Sequence, residues 1–428
     1  MTLTVNAVSG IKGELSLPGD KSISHRAIIL GSIAEGKTSI KNFPTAGDCL
    51  STIRVVGELG VEVEGIGGPV VTVHGRGLKG LTEPTDVLDA GNSATTARLM
   101  TGLLSGQGFF SVISGDDSLR SRPMGRVVEP LALMGAKIAG RDGGEHLPLS
   151  ISGTSLTGLT YEMPVASAQV KTALLLAGLY AGGPVIVKEK RATRDHTERM
   201  LEAMAAAIEI SEGVVTLTGG NKLKATSIDV PGDISSAAFF IVAALLTKDS
   251  RLNLKQVGMN SGRIGLLDVL KNMGARISYD NMSIKNKEAR ADILVESSPL
   301  KAAKIDKLIV PRLVDELPVF AIAATQAEGK SVISGAGELR VKETDRLRAV
   351  AENLTAMGAD VSEKKDGLEI TGPTRLKGAR IKTYSDHRVA MAFIVAGLIA
   401  EGDTVIDDDS CIDISFPDFT RMLKSVAG

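Results

Sequence analysis

The chain has 428 residues, 43% hydrophobic and 23% charged, a composition that excludes a disordered polymer and favours two folded domains over one. Its formal net charge is −1 with no basic block, which argues against nucleic acid as the main partner, since a phosphate backbone needs a cationic footprint. The two cysteines, Cys49 and Cys411, lie outside any CxxC or Cys/His cluster, so no zinc site and no disulfide framework is expected, and a reducing compartment fits.

The opening MTLTVNAVSG has neither a charged n-region nor an apolar h-region, so no secretory signal is read and a cytoplasmic location is expected, from a bacterial source or a mature form. The longest apolar runs, 237–246 and 389–400, are too short to span a bilayer and read as buried helices. With 3% aromatics and no Trp, the core must rest on Ala, Leu, Ile, Val and Met.

One event recurs six times along the chain. A polar cluster runs straight into an apolar helix near Asp20, Asn92, Ser167, Asp233, Asp315 and Asp386, with successive starts 66 to 82 residues apart. This predicts one unit of roughly 70 residues used six times. A helix N-terminus has unsatisfied N–H groups and a partial positive charge, so each start is a candidate anion receiver.

In GDKSISHRAIILG, Asp20 or Ser22 caps the helix, and Ser22 and Arg26 share a face at i,i+4. Lys21 and Arg26 oppose the helix dipole, and the apolar residues that follow leave them facing a cleft and its anion. GNSATTARLM brings Asn92, Ser93, Ala94, Thr95 and Thr96 with Arg98 to a second start, where small side chains admit a ligand to backbone N–H groups; alone it is a plain capped helix. DDSLRSRPMGR carries Arg120, Arg122 and Arg126, and Pro123 can start the next helix at its first position. Arg forks suit carboxylate and phosphate, although a charged turn reads the same way.

SAQVKTALLLAG sets Ser167, Ala168, Gln169 and Lys171 ahead of a third apolar helix, with hydroxyl and amide groups suited to a polyol. KEKRATRDHTERM follows, mostly solvated, with Arg191, Arg194 and His196 able to reach inward. VDELPVFAIAA places Asp315 and Glu316 directly before an apolar run, where a carboxylate is either a helix cap or, among so many cations, a general base. VKETDRLRAVAENL is the densest charged stretch, with Lys342, Glu343, Asp345 and Arg346, and Glu343 in reach of Arg346 at i,i+3. SDHRVAMAFIVAG sets Asp386, His387 and Arg388 before an apolar helix, where three ionisable groups need partners.

A second phrase recurs as MGAKI (134–138), MAAAI (204–208), MGARI (273–277) and MGADV (357–361), with LGVEV (59–63) a looser copy. Each follows an amphipathic helical stretch and leads into alternating, strand-like sequence. The unit therefore reads strand, buried helix, strand, amphipathic helix, short strands. The sixth amphipathic helix ends the chain, so the N-terminal strands could complete its unit, the alternative being one continuous chain of α/β repeats. This predicts a middle domain over 18–229 and a discontinuous domain of 1–17 plus 230–428, joined by a two-strand hinge. No P-loop, GxGxxG, HExxH or GxSxG motif is present. The residues alone describe a two-domain α/β enzyme for phosphorylated, carboxylated small molecules that needs no metal and no cofactor.

Taken together, PGDKSISHRA, GNSATTARL, RSRPM, SAQVK, VKETDRL and SDHRVAMA, in that order, resemble the 5-enolpyruvylshikimate-3-phosphate synthase family of the shikimate pathway, which makes aromatic amino-acid precursors. The resemblance implies two similar domains, each an inside-out α/β barrel of three βαβαββ repeats, with a cleft that closes on substrate. It implies transfer of the enolpyruvyl group of phosphoenolpyruvate to the 5-hydroxyl of shikimate-3-phosphate without cofactor, and a monomer is expected. By resemblance Lys21, Asp315 and Glu343 are catalytic; Lys21, Asn92, Ala94, Arg122, Gln169, Arg346 and Arg388 bind phosphoenolpyruvate. Ser22, Arg26, Ser167, Ala168, Gln169, Arg194, Asp315 and Lys342 bind shikimate-3-phosphate.

The chain departs from the commonest family pattern at three places. Ala94 stands where many members have Gly, which would narrow the phosphoenolpyruvate pocket and implies tolerance of the bulkier herbicide glyphosate. Ala168 replaces a second Ser. The stretch from Cys411 to Phe416 lacks a Lys that many members carry before the final S/T-F-P. A related transferase acting on UDP-N-acetylglucosamine would need a reactive cysteine on a mobile loop, a setting neither cysteine has. A silent binding protein on the same repeats is disfavoured by intact Lys21, Asp315, Glu343 and Arg346.

Overall fold

Six buried helices begin at the six polar clusters: α1 (Lys21–Ser32), α2 (Ala94–Ser105), α3 (Ala168–Gly178), α4 (Ile234–Leu246), α5 (Leu317–Gln326) and α6 (His387–Gly397). They are seen in a computed structural model that describes residues 2–428. Five of the six start on a side-chain cap. Asp20 accepts from the Ile23 amide at 2.9 Å, Ser93 from Thr96 at 3.1 Å, Ser167 from Val170 at 3.4 Å, Asp233 from Ser235 at 2.9 Å and Asp386 from Arg388 at 2.8 Å. Such a cap satisfies an amide that the helix leaves without an internal acceptor.

At the α5 start the helix-cap alternative is not realised. Neither Asp315 nor Glu316 caps this helix; Pro318 lies in its first turn, where a missing N–H removes one orphan donor. The two carboxylates are left for other partners. A correction concerns Pro123, which does not open the following helix. That helix runs Gly125–Leu133 after Met124, whose amide bonds the Glu145 carbonyl at 2.7 Å.

Each recurrent Met-Gly-Ala phrase marks the end of an amphipathic helix. Its second residue takes a left-handed backbone: φ is 84° at Gly60, 92° at Gly135, 95° at Gly274 and 82° at Gly358. Glycine suits this position because a Cβ clashes there. In the one copy without Gly, Ala205 is forced to φ 62°.

The chain divides into two units. One, here the middle unit, spans Gly19–Val230 together with Lys285–Glu288; the other takes the N-terminal stretch through Pro18, Pro231–Ile284 and Ala289–Gly428. The middle unit has three sheets outside its buried helices. Leu159–Met163 pairs parallel to Val185–Glu189, which pairs antiparallel to Val214–Thr218 and then Ala207–Ser211. Leu88–Asp89, Phe110–Ser114, His146–Ser152 and Lys137–Arg141 repeat that order. In the third sheet, Ala34–Lys41 takes its parallel neighbour from Ser227–Asp229 at the far end of the segment.

The discontinuous unit has the same plan. Lys304–Ile305, Gly329–Ile333, Gly367–Gly372 and Asp360–Lys364 form one complete repeat. The N-terminal residues complete the other two. Lys12–Ser16 runs parallel to Arg251–Gly258, and Leu3–Val5 pairs antiparallel to Thr404–Ile406. The sequence reading did not foresee that four residues of the long Arg276–Lys285 and Glu288–Glu296 hairpin group with the middle unit. There Lys285 pairs with Asp229 at 3.0 Å, Lys287 with Glu202 at 2.6 Å and Glu288 with His196 at 2.7 Å.

The cores explain the small residues. In α4 every residue from Ile234 to Leu245 is buried. A Cβ built on Gly102 of α2 would lie 2.2 Å from the Ala173 carbonyl oxygen of α3, so these two helices touch backbone to backbone. Four of the nine phenylalanines cluster in the other unit, where Phe239, Phe240, Phe416 and Phe419 have ring centroids 5.5 to 6.1 Å apart. Among the described residues no helix is long and apolar enough to cross a membrane.

Candidate active site

The sequence-predicted residues fall into two sets, one in each unit. In the middle unit, Lys21 opens α1 and its ammonium lies 3.2 Å from Asp48, in the first turn of the Gly47–Glu58 helix. Arg26, one turn on, is buried and fully engaged. Its Nε donates to Thr197 Oγ1 at 2.6 Å, Nη2 to Thr172 Oγ1 at 2.8 Å and Nη1 to the Ser22 carbonyl at 2.8 Å. It thereby ties the first turn of α1 to α3 and to the His196–Ala203 helix.

A chain of hydroxyls joins α1 to α2. His25 Nδ1 is 2.6 Å from Thr52 Oγ1, Thr52 is 2.7 Å from Thr96 Oγ1, and Thr96 donates to the Ser93 cap at 2.8 Å. Burial, with help from Lys21 and Arg26, lowers the His25 pKa from 6.5 to about 3, so the ring is neutral at ordinary pH.

Asn92 and Arg122 are brought together. Arg122 Nη2 donates to Asn92 Oδ1 at 2.8 Å and to Ser118 Oγ at 3.1 Å, while Asn92 Nδ2 donates to Asp116 at 2.7 Å. Gln169 joins the same set. Its Oε1 accepts from Arg98 Nη1 at 2.6 Å and its Nε2 donates to Thr95 Oγ1 at 3.0 Å, while Arg98 Nη2 reaches the Pro123 carbonyl at 2.8 Å. Ala94 and Ala168 are the first residues of α2 and α3, each partly exposed. Arg194 is half-buried just before the His196–Ala203 helix. Lys171 is sealed between Glu189 at 2.8 Å and Glu198 at 2.5 Å.

In the discontinuous unit, six charged residues converge. Arg346, only 1% exposed, forms a two-pronged fork on Asp386, with Nε to Oδ2 at 2.7 Å and Nη2 to Oδ1 at 3.3 Å. The same Nη2 reaches Glu343 at 2.6 Å. Burial works against the guanidinium charge, but Asp386 and Glu343 outweigh it and raise the pKa, so Arg346 is permanently cationic. Arg388 Nη1 donates to the Asp315 carbonyl at 3.0 Å. Burial lowers the Lys342 pKa against the pull of Asp315 and Glu338, although part of that side chain still meets solvent.

One nitrogen of this cluster is unspent. Arg346 Nη1 is buried and forms no hydrogen bond; Oδ1 of Asp315 is 3.7 Å away. The Asp315 and Glu343 carboxylates are 15% and 18% exposed, so both remain reachable. The cluster offers a fixed cation with a free donor between two accessible carboxylates. It can receive a small anion and move protons beside it.

Sequence reasoning missed the partners of these residues. Asp48, Thr172 and Thr197 carry no motif, and Arg98 reads as an ordinary helical residue until its two acceptors are seen. Asp386 was marked only by its place ahead of an apolar helix. The Ser410–Ile414 turn carries no cation, and Cys411 in it is buried, its thiol pushed up to about 12 chiefly by burial. Such a thiol is not a nucleophile near neutral pH.

A family model for EPSP synthase (3-phosphoshikimate 1-carboxyvinyltransferase) matches residues 5–423. The chain belongs to the EPSP synthase family. A 3-phosphoshikimate 1-carboxyvinyltransferase of Desulforudis audaxviator is 54% identical over 426 residues, covering 100% of this chain and 99% of that protein. One from a Geobacter species, strain M21, is 51% identical over 423 residues, covering 99% and 98%. A solved EPSP synthase of Acinetobacter baumannii aligns with a TM-score of 0.89 at 42% identity, over 100% of this chain and 98% of that one. The mixed α/β, two-domain architecture is that of the EPSP synthase family.

Proposed function

We propose that the chain is an enolpyruvyl transferase that joins phosphoenolpyruvate to the 5-hydroxyl of shikimate-3-phosphate and releases phosphate. In the addition step the hydroxyl oxygen bonds to C2, its proton leaves to a base, and C3 gains a proton. In the elimination step C3 loses a proton and phosphate departs with the electrons of its C–O bond. Atoms and electrons balance without a redox step. The cluster around Arg346 suits the first substrate: Arg346 and Arg388 take its anionic groups, Asp315 accepts the hydroxyl proton, and Glu343 with Lys21 serves C3 and the leaving phosphate. Lys342 supports the shikimate-3-phosphate charge.

In the middle unit, Ser22, Arg26, Ser167, Ala168, Gln169 and Arg194 serve shikimate-3-phosphate, and Asn92, Ala94, Gln169 and Arg122 serve phosphoenolpyruvate. Arg26 acts there through its grip on Thr172 and Thr197. The two small anions, rather than nucleic acid, are the partners, as the net charge of −1 favours. We take the working form to be a cytoplasmic monomer, a point for gel filtration and fractionation.

The observation that carries this reading is the unspent Nη1 of Arg346 between two accessible carboxylates. The test is phosphate release. Release with shikimate-3-phosphate plus phosphoenolpyruvate is expected, and Glu343→Gln and Asp315→Ala abolish most of it. Release only with UDP-N-acetylglucosamine in place of shikimate-3-phosphate would overturn the assignment.

A further inference from the structure

Glu316 sits beside Asp315, yet no role in substrate binding or helix capping uses it. Its side chain is 1% exposed. Its Oε1 accepts a hydrogen bond from Ser235 Oγ in the first turn of α4. Ser235 in turn accepts from Arg263 Nη2 at 2.6 Å, and its amide donates to Asp233 Oδ1 at 2.9 Å. Arg263 also approaches Asp233 at 3.4 Å. The donors therefore run one way, from Arg263 to Ser235 to Glu316.

Glu316 Oε2 is buried and has no partner. A buried carboxylate oxygen without a hydrogen bond destabilises a fold, and an apolar side chain of the same size would not. Stability does not account for this carboxylate. Geometry does. The turn is closed by the Glu316 amide on the Leu313 carbonyl at 3.0 Å, and the next carbonyl back, that of Asp315, is held by Arg388 at 3.0 Å. With Glu316 pinned to α4 on one side and the Asp315 carbonyl held by Arg388 on the other, Asp315 Oδ1 lies 3.7 Å from Arg346 Nη1 and 4.0 Å from Arg388 Nε.

We infer that Glu316, through Ser235, is a positioning residue that aims the Asp315 carboxylate for proton transfer. This deepens the proposed function and rests on Asp315 being the base for the 5-hydroxyl. Glu316 touches no reacting atom. It acts by fixing the adjacent backbone, and a base displaced by about 1 Å loses on the order of a hundredfold in rate.

The experiment is steady-state phosphate release by the full chain, with thermal melting of each variant. Glu316→Ala and Ser235→Ala are each expected to lower kcat about ten- to a hundredfold, with KM for phosphoenolpyruvate within about twofold of wild type. Glu316→Gln keeps an oxygen for the Ser235 hydroxyl and recovers most of the kcat lost in Glu316→Ala. The double variant falls no further than the worse single, because both changes cut one link. If Glu316→Ala does not fold, Ser235→Ala decides by the same criteria, since it removes a single hydroxyl. A folded Ser235→Ala or Glu316→Ala with wild-type kcat overturns the inference while leaving the assigned reaction intact. A wild-type chain inactive on both substrates overturns the parent reading, and this one with it.

Discussion

Arg346 and Asp386 meet as two flat forks with almost no water access: both carboxylate oxygens accept, at 2.7 and 3.3 Å, and the side chains are 1% and 0% exposed. The same carboxylate caps α6 through the Arg388 and Val389 amides at 2.8 and 3.3 Å. One aspartate thus fixes a helix start, the adjacent Arg388 and the guanidinium of Arg346.

Asp386→Asn keeps the shape and removes the charge. Breaking a buried pair leaves an uncompensated ion, so unfolding in urea should show a loss of about 3–5 kcal/mol with an unchanged m value. A midpoint equal to wild type would show that Glu343 alone compensates Arg346.

His25 makes stability depend on pH with a definite sign. Its folded pKa is about 3 against 6.5 unfolded, so the unfolded chain binds the extra proton between those values. Stability is unaffected above about pH 6.5 and falls by roughly 1.4 kcal/mol per pH unit below it, until the folded pKa is reached. In urea titrations between pH 7.5 and 5, His25→Gln should flatten this slope relative to wild type. Parallel curves for the two proteins would place the acid sensitivity elsewhere.

Gly102→Ala tests the contact between α2 and α3. The new methyl meets the Ala173 backbone, which cannot rotate away. A loss of about 1–3 kcal/mol is expected on denaturant unfolding. Because α2 begins at Ala94 and α3 at Ala168, KM for both substrates should rise in the same variant.

Ala205→Gly is expected to stabilise. Its φ of 62° is where the four other copies of the same phrase use glycine. Relief of the left-handed strain is worth about 1 kcal/mol, read as a higher melting temperature with unchanged kcat. A lower melting temperature would mean that glycine's extra freedom in the unfolded chain outweighs the relief.

Ala94 adds a methyl at the first position of α2. Glyphosate at low micromolar concentration should leave the wild type active. Ala94→Gly should tighten inhibition about ten- to two-hundredfold, the worth of one methyl group in a fitted pocket. Equal inhibition curves for the two proteins would show that this methyl does not line the pocket.

The repeated helix starts were legible because each is local. A cap, a turn and an apolar run lie within a dozen residues, as at Asp20–Leu30 and Asp386–Gly397. The Met-Gly-Ala phrases were legible for the same reason, since left-handed φ is a demand on one residue. The partners were not. Arg26 meets Thr197 across 171 positions and His196 meets Glu288 across 92, and no periodicity encodes such pairs. The α5 start misled because Asp315 and Glu316 look like a helix cap. Instead the Glu316 side chain is held by Ser235, and the Asp315 carboxylate lies 3.7 Å from Arg346 Nη1.

The amino-acid order alone determined the six-fold repeat, the helix starts and the kinds of charge placed at them, because propensity, capping and turn chemistry act between near neighbours. Only the tertiary structure decided which charges are used up and which remain available. Arg26 is wholly engaged and Arg346 keeps one free donor, although both read as an arginine in the first turns of a helix. That difference depends on which distant acceptors the fold brings within 3 Å, and hydrogen bonding falls away too steeply with distance for sequence to reveal it.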